Sequence, residues 1–424
     1  MPLAMTHFSP IAVKRSSPLV PHERCSVAYG LLPSRSMSYV QAAERAASRL
    51  EQNEAVVPPR ERPSRWYVVG DPQTTPGRFF SVLDRFGLLG PDGLLAPGVG
   101  LVSMGDHFDF SMGAPEAEPA GREIFAWLVG QGPSTHVLVG NHDIARVAEL
   151  AFESDETYAR AKRDAGIIRD RHAEGRKDEV HALVERFFAE HPNIPSPGIV
   201  LKDFASFSEA QRDHVERALV SRRLRLAMVA ELHGTEVLLT HAGITPREVR
   251  LLDVPAEPMA LAGALEATFS RAIERVAPFW LAKARARLEL EPLHVAGRSR
   301  KEGGGLLYHR PARRDREGAV ADWEFAPESP RRFDPRDLPK GLVQMIGHSG
   351  HARTVKSLPG FVAQGAEREG LPLRTLSAFG ETVRYQEGIL PPTPDAATVY
   401  MVDPGFAHEP LESIALCEVD RILF

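Results

Sequence analysis

The segment Thr135-His136-Val137-Leu138-Val139 runs straight into Gly140-Asn141-His142-Asp143, and this junction restricts what the chain can fold into. Three apolar residues in a row followed by Gly and a polar cluster predict a buried strand entering a tight loop. The pattern recurs at four other places: Val68-Val69-Gly70-Asp71-Pro72-Gln73, Leu101 to Asp109, Val237 to Gly243, and Val343 to His351. Each apolar run ends in Asp, Asn or His. Asp and Asn oxygens are hard ligands for a divalent cation, and a histidine titrates near neutral pH. Strands that all release such groups from their carboxyl ends predict an α/β fold in which one polar site gathers there.

The chain has 424 residues, 43% hydrophobic and 25% charged, which is enough apolar material for a large core. Length alone permits two or three domains. The spread of the strand-loop pattern argues for one large α/β domain over 63–424, because Asp71 and His348 have to meet in space. A net charge of −5 argues against nucleic acid or an anionic membrane as the partner. Cys25 and Cys417 are expected to be two thiols in a reducing compartment. No apolar run approaches the roughly 20 residues of a membrane span, and no compact apolar segment follows a basic start. The expected location is the cytoplasm.

Along the chain, residues 1–62 read as a poorly ordered tail and one helix, with Ser38 as a cap before Tyr39 to about Gln52. Strands at Trp66–Gly70, Leu101–Met104 and His136–Val139 alternate with helical stripes, such as Phe79, Phe80, Val82, Leu83 and Phe86. This βαβαβ run implies a parallel sheet with right-handed crossovers. A helical insertion is expected at about 144–230, with helices at Tyr158–His172, Asp178–Glu190 and Glu209–Ala230, forming one wall of a cleft. Leu232–Thr240 reads as a strand with a hairpin at His233-Gly234-Thr235. Pro255–Leu290 reads as helical and Arg313–Pro339 as loop. Leu342–Ile346 is the fifth strand, and Val355–Phe424 reads as strands and turns.

With these motifs in this order, the chain resembles the calcineurin-like metallophosphoesterase superfamily from about Val68 to Gly405. Leu239-Thr240-His241-Ala242-Gly243-Ile244, and Gly70-Asp71 followed by a helix, look most like the phosphoprotein phosphatase and diadenosine tetraphosphatase branch. The resemblance implies a β-sandwich flanked by helices and a site with two divalent metal ions, with Mn²⁺ expected and Fe or Zn²⁺ also suited to such N/O ligands. A bridging carboxylate serves two cations about 3.5–4 Å apart, and by resemblance Asp106 is that bridge. Asp71 then binds the first metal, and Asn141, His241 and His348 the second. By the same resemblance His142 donates a proton to the leaving group and Asp109 orients it. Asp143 is expected to hold the loop.

Three positions depart from the pattern. Gln73 stands where relatives carry His, and either ligates the first metal or holds a ligating water. The Gly347-His348-Ser349-Gly350-His351 motif is one residue longer than Gly-His-x-His, so His351 is either a further ligand, reached through a bend at Gly350, or a surface histidine. Phe110-Ser111 replace the Arg-Gly that follows the second Asp in phosphoprotein phosphatases. A phosphate dianion still favours a guanidinium fork. Arg310, in Leu306-Leu307-Tyr308-His309-Arg310, is the first choice, ahead of Arg146 and Arg247. Phe108 and Phe110 suggest an apolar wall.

The expected activity is hydrolysis of phosphate monoesters on a phosphoprotein or a small phosphorylated metabolite. The His241-Ala242-Gly243-Ile244-Thr245-Pro246 motif keeps open a nucleotide phosphoanhydride or phosphodiester hydrolase. Gln73 and Phe110 keep open a non-catalytic metal-binding module.

Overall fold

A computed structural model describes residues 38–52, 61–110, 114–314, 330–363 and 372–424. The expected tail over 1–37, Ser111, Cys25 and much of the expected 313–339 loop lie outside them.

Helix α1 (Ser38–Glu51) precedes strand β1 (Arg65–Val69), helix α2 (Pro76–Arg85), β2 (Val99–Ser103), α3 (Ala117–Gly130) and β3 (Thr135–Leu138). Helices α4 (Asn141–Ala145), α5 (Asp155–Ala173), α6 (Lys177–Glu190), α7 (Pro197–Leu201) and α8 (Glu209–Val220) follow. Then come β4 (Leu224–Arg225), β5 (Ala227–Leu232), β6 (Thr235–Thr240), α9 (Pro246–Leu252) and α10 (Pro258–Leu281). Four short strands follow: β7 (His294–Val295), β8 (Gly304–Gly305), β9 (Arg310–Pro311) and β10 (Arg332–Phe333). The last described elements are β11 (Val343–Ile346), α11 (His351–Ser357), β12 (Arg374–Phe379), β13 (Thr382–Glu387), β14 (Ala397–Met401), β15 (Cys417–Val419) and β16 (Arg421–Ile422).

The long strands form two mixed sheets, ordered β15-β1-β2-β3-β4 and β13-β12-β14-β11-β6-β5-β16. As the βαβαβ pattern requires, β1, β2 and β3 are parallel in register. In the second sheet β11 runs parallel to both β6 and β14. The continuous apolar runs follow from burial on both faces. Trp66, Val68, Val102 and Leu138 face Met228, Leu239 and Met345 in a shared layer between the sheets. Their neighbours Tyr67, Val69, Leu101 and Val137 point the other way, against helix residues such as Phe79, Phe80, Ile124 and Trp127. The fold is therefore mixed α/β with an apolar layer between two sheets. Among the described residues no helix is long and apolar enough to cross a membrane.

The inserted helices carry a small core of their own, in which Tyr158, Ala161, Ile168, Phe187, Ile194 and Phe204 pack together with Ala145 beneath α4. Two expectations here need correction. The helix expected over Glu209–Ala230 stops at Val220, Arg222 takes a left-handed conformation (φ 57°), and Ala227–Leu232 is a strand. Helical propensity is overridden because β5 pairs with β6 across a two-residue turn, His233-Gly234, both at positive φ. The helix expected over Pro255–Leu290 ends at Leu281, before Lys283 at φ 59°. In addition, α11 is a short helix that begins four residues ahead of the region read as strands and turns.

Candidate metal centre

The strand ends meet. Asp71 follows β1, Asp106 follows β2, Asn141 opens α4 after β3, His241 follows β6 and His348 follows β11. Asp71, Asp106, His241 and His348 are buried and each offers a ligand atom, all within 4.8 Å of one another, close enough to hold a metal ion. Their loops are tightly constrained. Asp106, Asp109 and His348 all sit at positive φ (55°, 67° and 57°), a conformation that costs a non-glycine residue and tends to cluster at functional sites. Gly140 and Gly347 permit the approach: a Cβ on the former would lie 2.0 Å from Asp106 Oδ1, and on the latter 2.3 Å from Asp71 Oδ1.

The donor geometry fits a cation. His241 Nδ1 lies 2.8 Å from the Met104 carbonyl, which takes its proton and leaves Nε2 as an acceptor. Around that Nε2 stand Asn141 Oδ1 at 3.2 Å, His348 Nδ1 at 3.1 Å and Asp106 Oδ2 at 3.3 Å. One proton shared between the two rings still leaves both oxygens facing lone pairs, an arrangement that a cation resolves. His348 Nε2 is buried without a hydrogen-bond partner. Burial, and then the Asp403 and Asp106 carboxylates, push Asp71 well above the usual carboxylate range. Positive charge placed among these groups relieves that strain.

Asp143 holds the loops, as expected. Its carboxylate accepts from the backbone N–H groups of Gly140 at 2.8 Å, Asp106 at 3.0 Å and His107 at 3.0 Å. His107, given no role from sequence, bridges Asp143 and Ser103 within the fold.

His142 stands beside this cluster. Its Nδ1 lies 3.0 Å from Asp109 Oδ2, and its Nε2 faces Asp106 Oδ2 at 3.8 Å. The ring packs edge-on to Phe204 from the insertion. Burial opposes the imidazolium, but Asp106 and Asp109 outweigh it and hold His142 at about 9. Asp109 has every oxygen in use: Oδ1 accepts from the Ser206 backbone N–H at 2.8 Å and hydroxyl at 2.7 Å, and Oδ2 meets Arg146 Nη1 at 2.6 Å. Burial raises the Asp109 carboxyl, yet Arg146 and His142 together keep it well below its ordinary range.

The remaining site expectations divide. Two cavities meet at the centre, one over Asp71, Asp106 and His348 and one past Asn141 and His142; Arg310 lines both, and its Nε is buried with no hydrogen-bond partner. Gln73 lines the cavity over Asp71, Asp106 and His348, with its amide nitrogen donating to the Phe108 carbonyl at 2.6 Å. His351 does not join the four-residue cluster; as the first residue of α11 it turns to Tyr385, stacking on the ring with Nδ1 2.8 Å from the hydroxyl. Arg146 is wholly buried and lines neither cavity. Besides Asp109 it binds the His142 carbonyl and, through Nε and Nη2, Gln211 Oε1, and it lies over the Phe108 ring. Phe108 is thereby core, while Phe110 lines the cavity. Arg247 binds Glu248 and the Pro292 carbonyl and lines neither cavity.

Sequence reasoning missed Asp403. It follows β14 and lines the same cavity as Asp71 and Asp106. The signal was present, since Val399 to Val402 is another apolar run ending in an acid. Ser206 and Gln211 carry no comparable signal.

No protein-family model matches the chain, and neither a curated protein nor a solved structure matches it.

The burial of Arg146 predicts how it fails. Arg146→Met removes the buried cation that faces Asp109 and both donors to Gln211 Oε1, and breaking one side of a buried ion pair costs about 3–5 kcal/mol. Denaturant unfolding should show a stability loss of that order. A raised KM with unchanged stability would instead return Arg146 to the substrate.

Proposed function

We propose that the protein is a metal-dependent phosphoesterase that hydrolyses phosphate monoesters, on a phosphoprotein or a small phosphorylated metabolite, at a centre of two divalent cations, with Mn²⁺ the expected metal. The observation that carries this reading is the meeting of Asp71, Asp106, His241 and His348 beside a histidine oriented by a carboxylate. Asp71, Asp106, Asn141, His241 and His348 would hold the cations, whose chemistry is to polarise phosphoryl oxygens and activate water. His142 is the proton donor to the departing oxygen. Asp109 fixes its Nδ1 and leaves Nε2 directed at the centre. Arg310, which lines the cavity over Asp71, Asp106 and His348, would supply the guanidinium for the phosphoryl oxygens.

The resemblance of residues 241–246 to diadenosine tetraphosphatases favours a second reading, the same chemistry on a phosphoanhydride. A non-catalytic module ranks third, since simple metal storage has no use for the saturated Asp109–His142 pair. The test is elemental analysis of the purified protein together with Mn²⁺-supplemented turnover of phosphoserine peptide, nitrophenyl phosphate and diadenosine tetraphosphate. The expected result is bound metal and fastest turnover on a monoester. Metal-free protein that stays inactive after Mn²⁺ addition would overturn the proposal, and a preference for the dinucleotide would select the second reading.

A further inference from the structure

Next to the metal ligands lies a second cavity of about 700 Å³ that opens past Asn141 and His142. Its wall carries Arg310, Arg331, Arg332, Arg353 and Lys356, against one lining carboxylate, Asp203. The chain as a whole has a net charge of −5, so this concentration of cations is local. The fold builds it deliberately close. Strands β9 and β10 pair in parallel with Arg310 opposite Arg332. Arg353 and Lys356 come from one face of α11, three residues apart. Arg331 lies over the Tyr308 ring and binds Glu302, which holds its guanidinium in place at the rim. Like charges at such proximity repel, and a concave wall focuses their field on whatever enters. Burial first, and then Arg353, Arg331 and Arg332, pull Arg310 down to about 9.

Arg310 and Arg353 line both this cavity and the one of about 510 Å³ over Asp71, Asp106 and His348. Arg331, Arg332 and Lys356 line only the former. A phosphoryl group held over Asp71, Asp106 and His348 would engage Arg310 and leave Arg353, which reaches into both cavities, with Arg331, Arg332 and Lys356 toward the rest of the substrate.

We propose that the outer cavity takes a second phosphoryl group, so that the substrate class is a compound bearing at least two phosphoryl groups, one at the metal ligands and one on Arg331, Arg332, Arg353 and Lys356. The inference rests on the phosphoesterase reading for which of the two groups reacts. The second group arrives either as a separate ester on the same molecule or as part of a phosphoanhydride. The two sources differ in the spacing between phosphorus atoms.

Inert probes separate binding from turnover. Titration calorimetry on the Mn²⁺-loaded full chain would compare phenylphosphonate with 1,3-propanediphosphonate, spaced like two esters, and methylenediphosphonate, spaced like an anhydride. One diphosphonate should bind at least about tenfold tighter than phenylphosphonate, the worth of one charge-assisted hydrogen bond. The better of the two identifies the source. The double variant Arg353→Glu with Lys356→Glu should erase that ratio, and measuring the ratio within each protein cancels any general loss. Should the double variant fail to fold, the same ratio in Lys356→Gln decides. Equal affinity for one- and two-phosphoryl probes overturns the proposal. So does a preference that survives charge reversal, which would mean that both groups sit on the metals. No turnover on the substrate panel, with the diphosphonate preference intact, would sink the phosphoesterase reading alone. Turnover with no preference would sink the second subsite alone.

Discussion

Asp106→Asn is expected to strip the purified protein of most of its metal and to lower turnover by about a thousandfold or more, since Lewis-acid stabilisation is worth several kcal/mol and each 1.36 kcal/mol is a factor of ten. The carboxylate is central to the cluster. Its Oδ2 stands 3.3 Å from His241 Nε2 and 3.9 Å from His348 Nδ1, while Oδ1 accepts the His142 backbone N–H at 2.9 Å. The amide keeps the shape and an acceptor oxygen for that backbone contact, but removes the charge that a pair of cations requires. Asn is also the substitution least confounded by backbone effects. Asp106 lies at φ 55°, where Asn is tolerated and an alanine would add strain of its own. Elemental analysis and circular dichroism on the same preparation separate metal loss from misfolding. Two retained metal ions per chain in this variant would count against Asp106 as the bridge.

His142→Asn is expected to keep the metal and to lose rate unevenly. The Nδ1 contact with Asp109 holds the ring in one orientation, and Asp109 is itself fixed by Arg146 and by Ser206 from the insertion. A histidine so placed serves best when the departing oxygen is a poor leaving group. General acid catalysis contributes about 10²–10⁴-fold. A phosphoserine peptide or alkyl phosphate should therefore lose a kcat factor in that range, whereas nitrophenyl phosphate, whose anion leaves unaided, should lose much less. Equal loss on both substrates at unchanged metal content would falsify the proton-donor role and leave His142 as a residue that positions the nucleophile or the loop.

The four clustered residues and their neighbours Asn141 and His142 were legible because the signal is local. An apolar run that ends in Gly and a metal-type side chain states both the strand and the group at its end. Asp403 shows how the same signal is overlooked when the run lies late in the chain and the acid is followed by Pro404-Gly405, which reads as a turn. The arginines were the least legible. Arg146 lies four residues from His142 and looks like a neighbour of the substrate. The turn of α4 instead carries it inward beneath the loop, onto Gln211 from α8. Arg353 and Arg331 carry no motif, and they line one cavity only because α11 and the β9–β10 pair flank it.

What the amino-acid sequence determined by itself is the five strands that end in the clustered polar groups, the parallel order of β1 to β3, and the chemistry waiting at their carboxyl ends. These follow from side-chain periodicity and turn residues within a few positions of one another. The tertiary structure decided which polar groups are consumed internally and which remain for a ligand. It turned His351 toward Tyr385, closed Arg146 onto Asp109, recruited Ser206 across 97 positions of chain, and left Arg310 between two cavities. The physical reason is that a buried charge must find its partner wherever packing places one, and those partners come from elements distant in the chain, where no local pattern records the pairing.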